Sequence, residues 1–386
     1  MFNKIIIIAS VFTTFNFIFA QEVKNKKEGN FIFTPIKTLD ATEVQDQNQT
    51  GTCWTFSSLS FFESELIKLG KPRELNFAEM FVVRKIYPLK ADNYVRMHGN
   101  NNFAEGGGFP DVLHCLKNYG MVPEAVYNGK NYGETKHIHA EMDAILKGMV
   151  QQVAKTEKGR VSTAWKKAFE STLDAYLGPD PKEFSYLGKQ YTPQSYVKEL
   201  GINPNDYVMI TSFTHHPFYS QFVLEVPDNW NWEKVYNVPL NDLQSIAENA
   251  LNNDYTIAWA SDVSEKGFRF KDGIAVVPEA DFDEATEEEK KTFYDKPLKE
   301  KVITPELRQL AFDNFETQDD HGMHIVGLYK DQTGNKFFKV KNSWGRKRND
   351  CDGYLFVSMN YFLYKTTSIM INKNAIPKDI AKKMGL

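Results

Sequence analysis

The segment from Gln47 to Ser57 constrains the fold more than any other part of the chain, because a polar, glycine-containing loop leads directly into a helix. After Trp54, apolar residues recur at steps of three and four, the spacing of one helix face. These residues are Phe56, Leu59, Phe62, Leu66 and Leu69. Gly70 and Pro72 then provide a C-terminal stop. The pattern places Cys53 in the first turn, where free backbone N–H groups and the helix dipole favour thiolate over thiol.

Cys53 has to be interpreted with its neighbours, since a lone cysteine is more often a small buried apolar residue than a nucleophile. Six residues upstream, Gln47 carries a side-chain amide that could turn back toward the sulfur. A thiol that attacks a carbonyl creates an oxyanion, which two N–H donors can stabilise. The Cys53 backbone N–H and the Gln47 amide would form such a pair.

The order Gln-x5-Cys-Trp resembles the active-site segment of the papain superfamily, which implies a histidine and an asparagine far downstream. Residues 321–327 (His-Gly-Met-His-Ile-Val-Gly) are similar to the family's histidine strand, and residues 342–345 (Asn-Ser-Trp-Gly) to its asparagine segment. The resemblance implies a cysteine peptidase acting on peptides or proteins. Cys53 would be the nucleophile, with Gln47 as the oxyanion donor. His321 would be the base, and Asn342 would hold its ring.

Two histidines compete for the role of base. Residues 322–330 and 336–343 have strand character and are joined by the polar turn 331–335, which predicts a hairpin with His321 beside the asparagine segment. His321 and His324 are an odd number of residues apart, so they face opposite sides of a regular strand. The turn length does not fix the register well enough to choose. The family spacing, a glycine six residues after the histidine, selects His321 and leaves His324 structural.

Three consecutive glycines, at 106–108, let a backbone approach a ligand closely, although residue type alone favours a flexible loop. Gly107 and Gly108, with the helix that follows them, resemble the wall on which papain-family peptidases pair an extended substrate. Together with residues 78–81 and 117–123, these glycines are similar to peptidases of the bleomycin hydrolase type. The separation of 268 residues between the predicted nucleophile and base agrees with this type, because papain and cathepsins have roughly 130–150. Gly107 and Gly108 are therefore expected to bind substrate. Trp344 is grouped with them as a cover over the His–Asn bond, although a plain core role is also compatible.

The resemblance implies an α+β, papain-like fold with a cleft between two subdomains. Residues 46–130 would form a helical half that carries the nucleophile, and residues 131–200 a helical insertion. Residues 201–386 would form a β-rich, barrel-like half that carries the histidine and the asparagine. Residues 21–45 would be a polar N-terminal arm with one β-like patch.

Residues 1–20 have the pattern of a secretory signal peptide: Lys4, a short apolar run, and Ala20 before Gln21. The run is short for a membrane anchor and is interrupted by polar residues, so we expect an exported, periplasmic or secreted protein without a membrane association. Removal of Lys4 with the signal would take the formal charge from −4 to −5. Such a surface has no general attraction for nucleic acid. Cys115 and Cys351 are expected to be reduced.

The remaining clusters of polar residues give weaker signals. The pairs His215-His216 and His137-x-His139 could bind a metal, but in the sequence no cysteine or carboxylate cluster joins them at ligand spacing. They are interpreted as loop and surface histidines. We therefore expect neither a metal site nor a cofactor.

The C-terminal end departs from the family pattern. In bleomycin hydrolase-type enzymes, which assemble as rings of six, a C-terminal arm lies in the cleft and its carboxylate holds the substrate's free amino group. Here the last strand is followed by a short tail, 375–386, without the family's Pro- and Trp-containing ending. The resemblance favours an aminopeptidase, with an insertion loop or the N-terminal arm blocking the cleft. The short tail leaves an endopeptidase open, and a non-catalytic binder, expected to have lost Cys53 or His321, is the third alternative.

Overall fold

The computed structural model describes residues 22–156 and 159–386, so the signal peptide predicted for residues 1–20 lies outside the described part of the chain. The first elements are the strands β1 (Val23–Lys24) and β2 (Ile32–Thr38). β2 pairs antiparallel along residues 327–331, at the end of the histidine strand remote from His321. The strands of the N-terminal arm therefore lie at an edge of the main sheet, and residues 22–45 are not among those that line the cleft.

The helical half and the insertion share one apolar core. Their elements are α1 (Cys53–Lys68), α2 (Glu79–Arg96), α3 (Phe109–Asn118), α4 (Ala140–Ala154), α5 (Ala164–Leu177), β3 (Phe184–Tyr186), β4 (Lys189–Tyr191) and α6 (Pro193–Leu200). α1 is buried along most of its length because it lies between the other helices and the sheet. α4 and α5 pack on α2 through Leu146 and Leu173, which are fully buried.

The second half is built on one large sheet. Its elements are β5 (Tyr207–Thr211), β6 (Gln221–Val223), β7 (Lys234–Asn237), α7 (Leu240–Asn252), β8 (Ile257–Ser261), β9 (Phe268–Arg269), β10 (Ile274–Ala275), α8 (Glu287–Thr292), α9 (Pro305–Asp313), β11 (His321–Asp331), β12 (Lys336–Lys341), β13 (Tyr354–Ser358), α10 (Met359–Lys365), β14 (Thr366–Asn372) and α11 (Lys378–Met384). The strand order is β6-β7-β5-β14-β8-β11-β12-β13-β10-β9, and β2 also pairs with β11. The predicted hairpin is present as β11 and β12.

Three features of this architecture position the site. α1 packs directly against β11, which brings the start of the helix to the start of the strand. The C-terminal helix α11 ends the chain on the sheet-rich half, where Ile380 and Met384 are buried in that half's core. Within residues 22–156 and 159–386, every helix is too short or too polar to cross a bilayer.

Candidate active site

Cys53 is the first residue of α1, as the sequence pattern predicts. The loop before it is tied to the asparagine segment across the cleft, since the Gln47 backbone N–H donates to the Ser343 carbonyl at 2.8 Å. Within the loop, Thr50 Oγ1 donates to the Gln47 carbonyl at 3.1 Å. The first N–H groups of a helix have no acceptor inside the helix, so this loop presents both the thiol and free donors at one place.

His321, the first residue of β11, is held by Asn342, which directly follows β12. The His321 Nε2 and Asn342 Oδ1 atoms are 2.7 Å apart, and both side chains are buried. This bond leaves Nδ1 as the ring nitrogen available to the thiol, because Cys53 and His321 line the same cleft. The ring of Trp344 covers the imidazole with a centroid distance of 4.8 Å and is itself held by Phe270. Trp344 thus lies behind His321 and is not among the residues that line the cleft.

His324 lies on the opposite face of β11, beside α1. Its Nδ1 atom is 2.9 Å from Ser60 Oγ, and its side chain is fully buried. Burial holds the pKa of His324 well below its usual value, and the neighbouring Lys341 ammonium lowers it further. His324 is therefore a neutral residue between the helix and the sheet.

Burial opposes charge on both Cys53 and His321. It raises the pKa of the Cys53 thiol to about 12, and backbone N–H groups of Gly322 and Trp54 only partly offset this. It lowers the pKa of His321 to about 4, although the hydrogen bond with Asn342 acts in the other direction. Neither group would ionise alone at neutral pH. A thiolate–imidazolium pair can therefore arise here only by transfer of the proton from one to the other, so that each charge stabilises its partner.

Gln47 is buried beside the nucleophile loop with both ends of its amide engaged. Its Oε1 atom accepts from Ser343 Oγ at 2.6 Å, and its Nε2 atom donates to the Thr50 carbonyl at 2.8 Å. An amide nitrogen carries two hydrogens, so one N–H remains for a ligand. Ser343 fixes which way the amide points, a contact that the sequence does not reveal.

Gly107 and Gly108 line the cleft next to Cys53. A Cβ atom at Gly107 would lie 2.9 Å from the ring of Trp54, closer than such contacts allow. The Trp54 Nε1 atom in turn donates to the Glu105 carbonyl at 3.1 Å. Glycine at 107 is thus required for packing against Trp54, besides leaving the backbone open to a ligand.

Part of the cleft wall is acidic, and sequence reasoning missed it. Asp228 lies in the connection between β6 and β7, while Asp319 and Asp320 directly precede His321. Burial raises the pKa of Asp319 to about 7, and the carboxylates of Asp228 and Asp320 act in the same direction. Asp319 and Asp228 also raise the pKa of Cys53, which places their charge close to the sulfur. Asp319 and Asp320 could have been predicted to lie in the cleft because they directly precede His321 in the sequence. Asp228 could not, because it is distant from the other site residues in the sequence.

Comparison with known proteins identifies the family to which this arrangement belongs. The sequence profile of the Peptidase C1-like family matches residues 3–385. The chain belongs to the Peptidase C1-like family. It is 23% identical over 378 residues to Aminopeptidase E of Lactobacillus helveticus, with 87% of this chain and 82% of that protein covered. It is 22% identical over 396 residues to Aminopeptidase C of Lactococcus lactis subsp. cremoris, with 93% and 86% covered.

A solved structure supports the fold. The crystal structure of PepW from Lactobacillus rhamnosis HN001 superposes with a TM-score of 0.72 and 19% identity, covering 91% of this chain and 84% of that chain. The predicted α+β, papain-like fold and the resemblance to the aminopeptidase C type are therefore confirmed. This Peptidase C1-like protein is a cysteine-type peptidase, for which peptides are the substrates.

The interpretation of the paired histidines is only partly correct for this family member. His215 and His216 are near the surface, but Glu225 joins them at 3.2 and 2.9 Å. His137 and His139 are not surface residues, since their exposed fractions are 6% and 1%. Carboxylates join His139 as well, as described below. Sequence spacing concealed these neighbours because they come from other segments.

Proposed function

We propose that this chain is a cysteine aminopeptidase in which Cys53 is the nucleophile and His321 is the general base. The observation that carries the proposal is the His321–Asn342 hydrogen bond of 2.7 Å in the cleft that also holds Cys53 at the start of α1. Asn342 accepts from Nε2 and thereby sets the tautomer and the orientation of the ring. Trp344 keeps water from this bond by covering the imidazole.

The reaction follows from these positions. His321 takes the Cys53 proton as sulfur attacks the scissile carbonyl, because neither buried group carries a stable charge alone. The oxyanion that forms is stabilised by the Cys53 backbone N–H and by Gln47. His321 then protonates the leaving amine, and water hydrolyses the thioester with His321 again as the base. Gly107 and Gly108 are proposed to pair with the backbone of the substrate.

Gln47→Ala is expected to lower kcat by about 10²–10³-fold with a smaller effect on KM, the range for loss of one oxyanion donor. Ser343→Ala is the matched control, since it removes the 2.6 Å bond that orients the Gln47 amide but leaves the amide in place. Steady-state kinetics on one peptide would measure both variants. A smaller loss is expected in Ser343→Ala, because the amide is still present, and an unchanged kcat in Gln47→Ala would mean that Gln47 does not stabilise the oxyanion.

The proposed preference for a free N-terminus is supported by the acidic wall and by the aminopeptidase names of the relatives. The C-terminal tail is packed on the sheet-rich half through Ile380 and Met384, and it is not among the residues that line the cleft. Residues 378–386 therefore do not provide the anchor for a substrate amine. Asp228 and Asp319 offer negative charge near the sulfur instead, and an arriving ammonium group would favour their ionised forms.

The test compares one fluorogenic peptide with a free and with an acetylated N-terminus, with thiol alkylation as the blank. Only the free form is expected to be cleaved, and Asp228→Asn should lower its kcat/KM by about 10- to 100-fold, the value of a charge-assisted bond. Glu233→Gln, which changes a more exposed carboxylate of the same cleft, should have little effect.

The KM for the peptide with a free N-terminus should rise as the pH falls through about 7, because protonation of Asp319 removes its charge.

The competing endopeptidase function is favoured by one observation, the absence of the tail from the residues that line the cleft. Comparable cleavage of the acetylated peptide would establish that function and remove the role proposed for Asp228.

We also propose export, on the signal-peptide pattern of residues 1–20, and a ring of identical subunits, on the family resemblance alone. Native mass spectrometry of protein recovered outside the cytoplasm would measure the mass of the subunit and the number of subunits in the assembly. The subunit mass should correspond to residues 21–386, and the assembly should contain several copies. A subunit that retains residues 1–20 would contradict the proposed export. A monomer at micromolar concentration would contradict the proposed ring.

A further inference from the structure

A cluster of two carboxylates and one imidazole lies behind the nucleophile loop, outside the proposed mechanism. Its members are Glu105, His139 and Asp143, and their ligand atoms all lie within 4.8 Å of one another. His139 is the residue before α4, and Asp143 is four residues further along, on the same side of the helix. Glu105 comes from the loop that precedes the three glycines.

The cluster contains buried polar atoms without partners. His139 is 1% exposed, and neither of its ring nitrogens has a hydrogen-bond partner among the described residues. The same holds for Asp143 Oδ2. Buried polar groups are nearly always paired, and an unpaired one destabilises the fold. A cation bound between them would satisfy Asp143 Oδ2 and one nitrogen of His139 together.

The charges also indicate a missing positive partner. Glu105 and Asp143 bring two carboxylate groups within 4.8 Å of each other. The buried cation nearby, Lys90, donates to the carbonyls of Ala104 and Gly106 instead of to this pair. Metals bind the neutral form of an imidazole, and both ring nitrogens of His139 are without hydrogen-bond partners among the described residues.

The ligands are held in place by their surroundings. The Tyr87 hydroxyl donates to Asp143 Oδ1 at 3.2 Å, which leaves Oδ2 directed into the cluster. The other Glu105 contacts reach the nucleophile loop: the Gly51 backbone N–H donates to its Oε2, and Trp54 Nε1 donates to its carbonyl. The backbone of His139 also bonds this loop, through the Gln49 carbonyl at 3.3 Å.

We infer that Glu105, His139 and Asp143 form a structural site for a divalent transition-metal ion of the zinc class, which fastens the nucleophile loop to α4. One imidazole and two carboxylates are a donor set that Zn²⁺ accepts, whereas Ca²⁺ and Mg²⁺ prefer oxygen alone. The ion would bind Glu105 and His139, both of which also hydrogen-bond the nucleophile loop. It would therefore order the residues that present Cys53 without touching the substrate.

The experiment uses the full mature chain with Cys53→Ser, His215→Asn and His216→Asn, because a thiol or the His215–His216–Glu225 cluster could also bind zinc. After removal of metal with a chelator, Zn²⁺ is titrated by isothermal calorimetry and its effect on Tm is recorded. One Zn²⁺ per chain and a rise in Tm are expected. His139→Gln and Glu105→Gln in this background should each weaken binding by at least about 10-fold. His137→Gln, which changes a buried neighbouring imidazole outside the cluster, should bind Zn²⁺ as before.

The competing interpretation is a proton shared between Glu105 and Asp143, and Asp143→Asn separates the two. With a shared proton, Asn can donate to Glu105 in place of the protonated acid, so the metal-free variant would be at least as stable and Zn²⁺ would have no effect on the parent. That result would overturn the inference, as would equal Zn²⁺ affinity in His139→Gln. Loss of the Zn²⁺-dependent Tm rise in Asp143→Asn, while the variant remains folded, supports it. Activity is not used as a readout, so failure of the proposed catalytic function would leave this test unaffected.

Discussion

Cys53→Ala is expected to abolish peptide hydrolysis while leaving the fold intact. The loss should be about 10⁶-fold, down to the background rate, because the reaction has no other nucleophile and the catalytic groups act as a unit. At the first turn of α1 the Cys53 sulfur is shielded from solvent although the residue as a whole keeps some exposed surface, so its removal should change the free energy of unfolding by about 1 kcal/mol or less. Initial rates on a fluorogenic peptide, together with Tm, measure the two effects.

Iodoacetamide labelling provides the control for an activated sulfur. All three cysteines are unpaired, but Cys115 is fully buried in the helical half, and burial raises its pKa above that of an ordinary thiol. Burial also raises the pKa of Cys351, to about 11. Cys53 should be labelled first, because His321 can accept its proton. Equal rates at all three positions would contradict proton transfer to His321, and substantial residual hydrolysis in Cys53→Ala would exclude Cys53 as the nucleophile.

Much of the site could be predicted because it depends on local patterns. The three- and four-residue spacing after Trp54 places Cys53 at a helix start, and the polar turn at 331–335 defines the hairpin that carries His321. Strand alternation assigned His321 and His324 to opposite faces, and the structure places them so. These inferences needed only the period of a helix or a strand.

Contacts between distant segments could not be predicted in this way. Pro88 lies inside α2, where a sequence-based rule would end the helix; burial of Ile86, Tyr87 and Ala91 compensates for the lost hydrogen bond. The tail departs from the family's ending, and only the structure shows that it packs on the sheet-rich half. Asp228 reaches the cleft from a connection between two strands. In each case tertiary packing, which leaves no local period, decides the outcome.

The second large effect distinguishes the two histidines of β11. His321→Ala should lower kcat by about 10³-fold or more, because Cys53 would lose its base and its pKa is raised to about 12 by burial. His324→Ala should instead lower the free energy of unfolding by about 2–4 kcal/mol, since it leaves a cavity beneath α1 and removes one of the two hydrogen bonds of the Ser60 hydroxyl, which keeps its bond from Lys341. The rate per folded molecule should be nearly unchanged.

The two variants are separated by measuring kcat and thermal unfolding on the same samples. His324→Gln serves as the matched control, because its side chain can still bond Ser60 and should recover part of the lost stability without changing kcat. An inactive but fully stable His324→Ala protein would reverse the assignment. It would mean that the sulfur transfers its proton to His324, the imidazole that contacts Ser60, and that the His321–Asn342 hydrogen bond has only a structural role.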